Sequence, residues 1–434
     1  MGRGSARNAG RAASLSGRHS GALAIVLVLT CVSASAELRY AVHIDARDPL
    51  VANFEMKGPD GRPFGGGKTV APRGQQFGSA VQVDGVRCDG RLLTAVAQST
   101  WRLPDRGCRR LNWRSPLVEL GARGVDASRQ HSLYAADAGF WLIAEPASLL
   151  RVSGFDGEAP MDVRGPPLVG TVDGRTAQVP GLAEAPGFFV LGAPSLRRMT
   201  AAGIRAIHVN ATKLDLAPIE RLHAESIEFF MRVTGTPLLA APIVVVWLPV
   251  DASVGEAGGA AGRDGFLANV VVRDGAPLPE ETPLTLHVLL HEQFHQLVRP
   301  PTPLPTWLNE SLAEFYARRA AEEARLDAGA RAVLEARYPP LDAAPRVRLL
   351  QIQREIDAGN GENYARLYID GSNFWMAVHR AIVANGHAAG IDDLMPLLLA
   401  RPVPTAELPA SWIGSLREAA GPAFDELMAR FVGS

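Results

Sequence analysis

Two histidines four residues apart, His291 and His295, enclose Glu292, Gln293 and Phe294 in the pattern H-E-x-x-H. On a helix, side chains at i and i+4 stand one above the other on a single face. Both imidazoles can therefore reach one tetrahedral metal ion, with Glu292 beside them to handle the proton of a zinc-bound water. With 10 histidines in 434 residues, an accidental match somewhere in the chain is expected roughly 1–2% of the time. His287 lies one further turn upstream. A ligand there would strain the geometry, so the sequence favours a packed or hydrogen-bonded role for it.

These residues converge only if a helix carries them. Leu286, Leu289, Leu290, Phe294, Leu297 and Val298 recur at helical spacings, and Pro283 stands where a helix could begin. Pro300 and Pro301 end it, because proline lacks the N–H and clashes with the preceding turn. A catalytic zinc keeps three protein ligands and one open position. The next segment offers carboxylates: Leu308, Leu312 and Phe315 mark the buried stripe of a second helix, entered through a proline-rich turn at residues 300–305. Glu310 and Glu314 are four apart and share a face of it. Such a pair is ordinarily a solvated surface; placed one short turn after H-E-x-x-H, it is expected at the metal.

The run Trp307-Leu308-Asn309-Glu310, followed by Ala313-Glu314-Phe315, resembles the third-ligand helix of the gluzincin metallopeptidases, the group that includes thermolysin, aminopeptidase N and the glycyl aminopeptidases. The resemblance implies that Glu310 binds zinc and that Glu314 hydrogen-bonds a ligating histidine and orients it. The interval from His295 to Glu310 is shorter than in aminopeptidase N, and Glu314 lies at the aminopeptidase-like distance; the assignment chosen is Glu310. Gly265-Phe266-Leu267-Ala268-Asn269 is similar to the Gly-x-Met-x-Asn substrate strand of that family. This implies a substrate-binding edge strand containing Gly265, Ala268 and Asn269, which pairs with substrate backbone. Ala268 stands where the family has the glutamate that grips a free amine. Tyr368-Ile369-Asp370-Gly371 is similar to the family's Tyr-x-x-Gly element, which implies an oxyanion-stabilising hydroxyl on Tyr368, with Tyr364 as the competing choice.

The rest of the chain supplies a compartment and a framework. Arg3, Arg7, Arg11 and Arg18, an apolar core at residues 22–32 and the triplet Ala34-Ser35-Ala36 read as a secretory signal covering residues 1–36. Its apolar run is shorter than the roughly 20 residues of a membrane span, and no later segment qualifies. Thr30 before Cys31 fits a lipoprotein signal poorly. Export to a periplasmic or extracellular compartment makes a Cys88–Cys108 disulfide plausible, worth about 3 kcal/mol in the loop-entropy model, with two buried thiols as the alternative. The net charge of −1, from 44 basic and 45 acidic side chains, gives no electrostatic case for nucleic acid. Arginine exceeds lysine and alanine is abundant, a compositional habit rather than a mechanism.

The expected fold is α+β and multidomain. Residues 37–200 read as a β-rich, sandwich-like domain with short strands near 38–44, 80–83, 92–97, 140–143 and 149–152. Residues 201–325 read as a thermolysin-like catalytic domain: a strand at 204–209, a helix at 216–233 ending at Gly235, a strand at 243–248, then the two site helices. The glycine-rich stretch 255–265 has no lysine and no phosphate-loop spacing. Residues 326–434 read as helical, with amphipathic stretches at 330–337, 347–356, 374–384 and 391–399. Together these imply a secreted hydrolase with one Zn2+ per chain and a peptide or protein substrate. The alternatives are a catalytically silent zinc protein of the same fold and a zinc hydrolase acting on an ester or epoxide.

Overall fold

Val51–Lys57 and Arg110–Pro116 alternate buried and open side chains along their whole length, the period of a strand with one face on a core. A computed structural model describes residues 38–73, 80–235, 239–300, 302–324 and 326–433. The expected signal segment lies outside these residues. Seven strands form the first sheet, in the order Thr176–Val179, Ala159–Arg164, Arg39–Ile44, Val51–Lys57, Arg110–Pro116, Asp84–Cys88, Arg91–Leu92. It shares one apolar core with two four-stranded sheets, centred on Phe54 stacked on Trp113 at 5.3 Å. Cys88 and Cys108 are joined by a disulfide, with their Cα atoms 5.5 Å apart. Residues 80–83, expected as a strand, instead form a connecting segment. There Gln82 is buried and donates to the carbonyls of Pro116 and Ser132.

One of the four-stranded sheets is shared between two cores. Phe140–Ala144 is buried throughout, and its parity divides it: Trp141 and Ile143 enter the first core, Phe140 and Leu142 a second. Across that second core lies the sheet that carries the site. Its order is Leu196–Ala201, Ile204–Asn210, Ile243–Asp251, Gly265–Arg273, Gly259–Ala261, and the three interior strands are mutually parallel. Val246, Leu248 and Leu267 face the β-rich part, whereas Val245, Trp247, Phe266, Ala268 and Val270 face the helices. Burial on both faces explains why these strands read as unbroken apolar runs.

Ala217–Thr234 makes the helical crossover between parallel strands and stops at Gly235, whose φ of 64° is the left-handed conformation glycine adopts readily. Thr282–Leu297 carries the motif, with Pro283 in its first turn and Val298 extended at its end. Thr306–Glu323 carries the glutamates. The remaining helices are Ala328–Glu335, Leu349–Asp357, Ala365–Ala384, Met395–Leu399, Ala410–Ala420 and Ala423–Leu427. The stretch expected as one helix at 391–399 is divided into a 3-10 turn, Gly390–Asp393, and Met395–Leu399, which has Pro396 in its first turn. Among the described residues no helix is long and apolar enough to cross a membrane.

A buried chain of hydrogen bonds fastens the motif helix to the sheet. Trp247 Nε1 can only donate, and it lies 3.1 Å from His208 Nδ1. The neutral His208 must then carry its proton on Nε2, which donates over 3.1 Å to His223 Nδ1. His223 Nε2 in turn donates to Gln293 Oε1 on the motif helix. Burial lowers the pKa of His208 to about 2, helped by the neighbouring His223 and Arg197. Burial lowers that of His223 to about 4, against the hydrogen bond to Gln293. An unfolded histidine titrates near 6.5, so in this range the unfolded chain binds more protons and stability rises with pH. It is therefore lost as pH falls below about 6.5. At pH 5 the His208 contribution is on the order of 2 kcal/mol. Gln in place of His208 can bridge the same partners without titrating. In chelator-treated protein, denaturant titrations at pH 7 and 5 should show a smaller stability loss for His208→Gln than for wild type; equal losses would refute the assignment.

Candidate metal centre and active site

His291 and His295 extend from adjacent turns of the motif helix, and their Nε2 atoms lie 3.2 Å apart. Glu310 Oε2 stands 3.3 Å from His291 Nε2 and 3.6 Å from His295 Nε2. Tetrahedral zinc with bonds of about 2.0–2.1 Å places its ligand atoms about 3.3–3.4 Å apart. The three atoms thus already form one face of a zinc coordination tetrahedron. This trio is also the cluster of potential metal ligands found among the described residues. Two imidazoles and one carboxylate are the donor set of a catalytic zinc with its fourth position open.

Glu314, one turn beyond Glu310, approaches the trio from the far side of the His291 ring. Its Oε2 accepts from His291 Nδ1 at 2.8 Å. Its Oε1 accepts from His287 Nε2 at 2.9 Å and from the Tyr338 hydroxyl at 2.5 Å. An ionised carboxylate only accepts, so His291 carries a proton on Nδ1 toward Glu314, which leaves its Nε2 as the atom a metal at the trio would take. His287 is therefore a hydrogen-bonded neighbour.

Electrostatics follow from this crowding. Burial alone would lower the His291 pKa, but hydrogen bonds to Glu310 and Glu314 raise it well above its usual value. Burial likewise works against ionising Glu310, yet His295 and His291 hold it below the ordinary carboxylate range. Glu314 is held well below that range by His287 and His291, again against burial. Glu292 differs: burial raises its pKa, the two histidines oppose this, and Glu310 and Glu314 reinforce it. Its Oε2 is buried without a hydrogen-bond partner. A buried carboxyl with a raised pKa beside two histidines is suited to exchanging a proton.

The floor of the site corrects the sequence reading. Gly265, Ala268 and Asn269 do not line an edge. Gly265–Arg273 is interior, flanked by Ile243–Asp251 and Gly259–Ala261. Ala268 is fully buried on the helix side, and the Asn269 side chain is used up by Ala127 N, Val125 O and Leu248 O. A Cβ on Gly265 would lie 2.1 Å from Val244 O, so its glycine serves close strand approach. The edge strand beside the motif is Gly259–Ala261. A Cβ on Gly259 would meet Glu292 Oε1 at 2.5 Å and Val288 Cγ1 at 2.9 Å. The parity of an apolar run cannot distinguish an interior strand from an edge; the run of small residues Gly258-Gly259-Ala260-Ala261 was the available signal.

Both tyrosines reach the site. The Tyr368 ring stands edge-on to His291 at 5.4 Å, and Tyr364 lies 5.7 Å from Tyr368. Both phenols lie close enough to Glu310 for its charge to oppose their ionisation. Burial, with Glu310 next in effect, keeps both phenols protonated. Gly371 makes this approach feasible, because a Cβ there would sit 2.4 Å from Ser311 Cβ on the glutamate helix. Just beyond that crossing, Trp375 Nε1 donates to Ser311 Oγ at 2.9 Å. Tyr338 escaped the sequence reading; it lies in an irregular segment with no motif around it.

No family model matches the sequence, and no curated protein does. Solved structures do. An aminopeptidase N family protein from Idiomarina loihiensis superposes with a TM-score of 0.66 at 12% identity, over 92% of this chain and 76% of that one. Aminopeptidase A from Legionella pneumophila, in complex with aspartic acid, superposes with a TM-score of 0.52 at 13% identity, over 92% of this chain and 49% of that one. The chain shares the fold of these two aminopeptidase structures.

The two glutamates are expected to differ in kind. Glu310→Ala removes a ligand and should leave the protein without zinc after dialysis. Glu314→Ala should keep one equivalent while weakening its affinity about 10- to 100-fold. Metal analysis with a chelator titration decides it, and the reverse ranking would make Glu314 the ligand.

Proposed function

We propose that this protein is a zinc-dependent metallopeptidase, with one zinc held by His291, His295 and Glu310. The observation that carries the reading is the tetrahedral spacing of those three atoms, with Glu292 buried on the same helix against the edge strand at Gly259. When bound by these residues, zinc would supply Lewis-acid chemistry, polarising a carbonyl and acidifying a water toward a pKa of about 7. Glu292 accepts the proton of the attacking water and returns it to the leaving amine. The Tyr368 hydroxyl donates to the carbonyl oxygen as negative charge develops, an effect worth roughly 3–4 kcal/mol for a well-placed donor. Substrate backbone lies along Gly259–Ala261, the end of the sheet, by strand addition.

In this reading residues 37–200 are the β-rich support, 201–325 supply the ligands and the general base, and 326–434 add the tyrosines. The basic and apolar stretches before Ala34-Ser35-Ala36 support export, in keeping with a disulfide in an oxidising compartment.

Glu292→Gln should retain one equivalent of zinc while peptide-library hydrolysis falls about 10²- to 10⁴-fold; full activity in this variant would overturn the mechanism. Tyr368→Phe should lower kcat about 10²- to 10³-fold with little change in KM. A larger loss from Tyr364→Phe would transfer the role to Tyr364. Hydrolysis of esters but of no peptide would move the enzyme to another substrate class.

Gly259→Ala puts a methyl group against Glu292. It should lower kcat about 100-fold through displacement of the base, with zinc content intact. Wild-type turnover would show that the edge strand yields at no cost.

A further inference from the structure

Tyr338 follows the short helix Ala328–Glu335 and reaches back across the glutamate helix to the metal centre. We infer that it is a positioning residue for the metal: its hydroxyl locks the Glu314 carboxylate that orients His291. The inference rests on the zinc assignment above and adds a residue that no motif contains.

Glu314 meets three donors, and they are not equivalent. Oε2 has the His291 contact, whereas Oε1 is held by both Tyr338 and His287, whose own separation is 3.3 Å. The terminal torsion of a glutamate is soft and roughly two-fold. Two donors on Oε1 fix that torsion and leave the other oxygen directed at His291 Nδ1. Tyr338 is itself pinned. The Arg318 guanidinium lies over its ring at 3.9 Å. Arg318 is buried and bonded to Ser372, Asn373 and Glu335. Asn373 also donates to Pro339 O, the next carbonyl along the chain, at 3.0 Å. Glu310, Glu314 and Arg318 follow one another at successive turns of a single helix. Ligand, orienting carboxylate and the support of that carboxylate's partner thus lie on one rigid element.

Tyr338→Phe removes the hydroxyl and leaves the ring under Arg318. Zinc affinity of the full chain, measured by competition with a chromophoric chelator, should fall roughly tenfold or more, while the thermal midpoint of zinc-free protein stays near wild type. In a Glu314→Ala background the same substitution should change zinc affinity no further. Unchanged affinity in Tyr338→Phe, with wild type binding one equivalent, overturns the inference and leaves the zinc assignment standing. So does a lowered midpoint with unchanged affinity, or an equal loss in the Glu314→Ala background. Failure of wild type to bind zinc overturns the assignment itself.

Discussion

Ionisable groups can be buried this densely only when their charges are matched by nearby donors, and Glu292, whose Oε2 has no partner, responds with a raised pKa. An uncompensated buried charge costs several kcal/mol, and His291, Glu292 and Glu314 are all withdrawn from solvent. Glu314 meets the requirement from within the protein, with donors from His287, His291 and Tyr338. Its lone pairs are thereby committed and its charge is directed to an imidazole. Glu310 is left facing two imidazole nitrogens at 3.3 and 3.6 Å, an arrangement a dication satisfies better than any proton count. The same constraint therefore favours Glu310 as the ligand in the proposed reading, although spacing from His295 points to the other. A short connection between the helices brings Glu310 into reach where a longer one would bring a residue further along.

Holding three electron-pair donors 3.2 to 3.6 Å apart demands a motif helix that can neither roll nor slide. Its site face is set by Glu314, its opposite face by Gln293, which ends the chain running from Trp247 through two histidines. Gln296 adds a third restraint, donating to the carbonyls of Gly262, just after the edge strand, and Gly265, at the start of the interior strand. Edge strand, motif helix and central strand are thus one body. The β-rich part enters the same body through Asn269, whose side chain ties residues 125 and 127 to the sheet. This explains why the sheet's second face is apolar: it is the wall of an interior core.

What the sequence disclosed tracks the range of the interaction involved. The motif helix and the glutamate pair are local patterns, in which helical periodicity and proline stops determine position, and Thr282–Leu297 and Thr306–Glu323 form where those signals place them. The Tyr368-to-Gly371 element was legible only by likeness to a family motif, and the structure supplies the physical reason for its glycine, the close crossing at Ser311. The substrate strand was misread because Gly265-Phe266-Leu267-Ala268-Asn269 matches a motif in letters while its surroundings are those of an interior strand. Neighbours, not composition, make an edge. Tyr338 was invisible because its role arises from a contact 24 positions away in sequence, and an isolated tyrosine in a loop has no periodicity to read. The residues 80–83 failed as a strand for the converse reason: the apolar run is real, yet Gln82 spends its amide on Pro116 and Ser132.

The C-terminal helices belong to the site rather than to a separate appendage. The glutamate helix begins where Trp307 N donates to Gln353 Oε1 and Trp307 Nε1 donates to Ala406 O, so residues far downstream set its starting point. Its middle is crossed at Ser311 by Gly371 and Trp375, and its far end is held by Arg318 through Ser372 and Asn373. Tyr364 and Tyr368 reach the site from the start of that crossing helix, whose backbone meets the glutamate helix at a glycine. A loss of packing in the C-terminal third would therefore be felt first as disorder in Glu310, before the motif helix itself loosened. The two histidines are anchored to the sheet; the glutamates are anchored to everything that follows them.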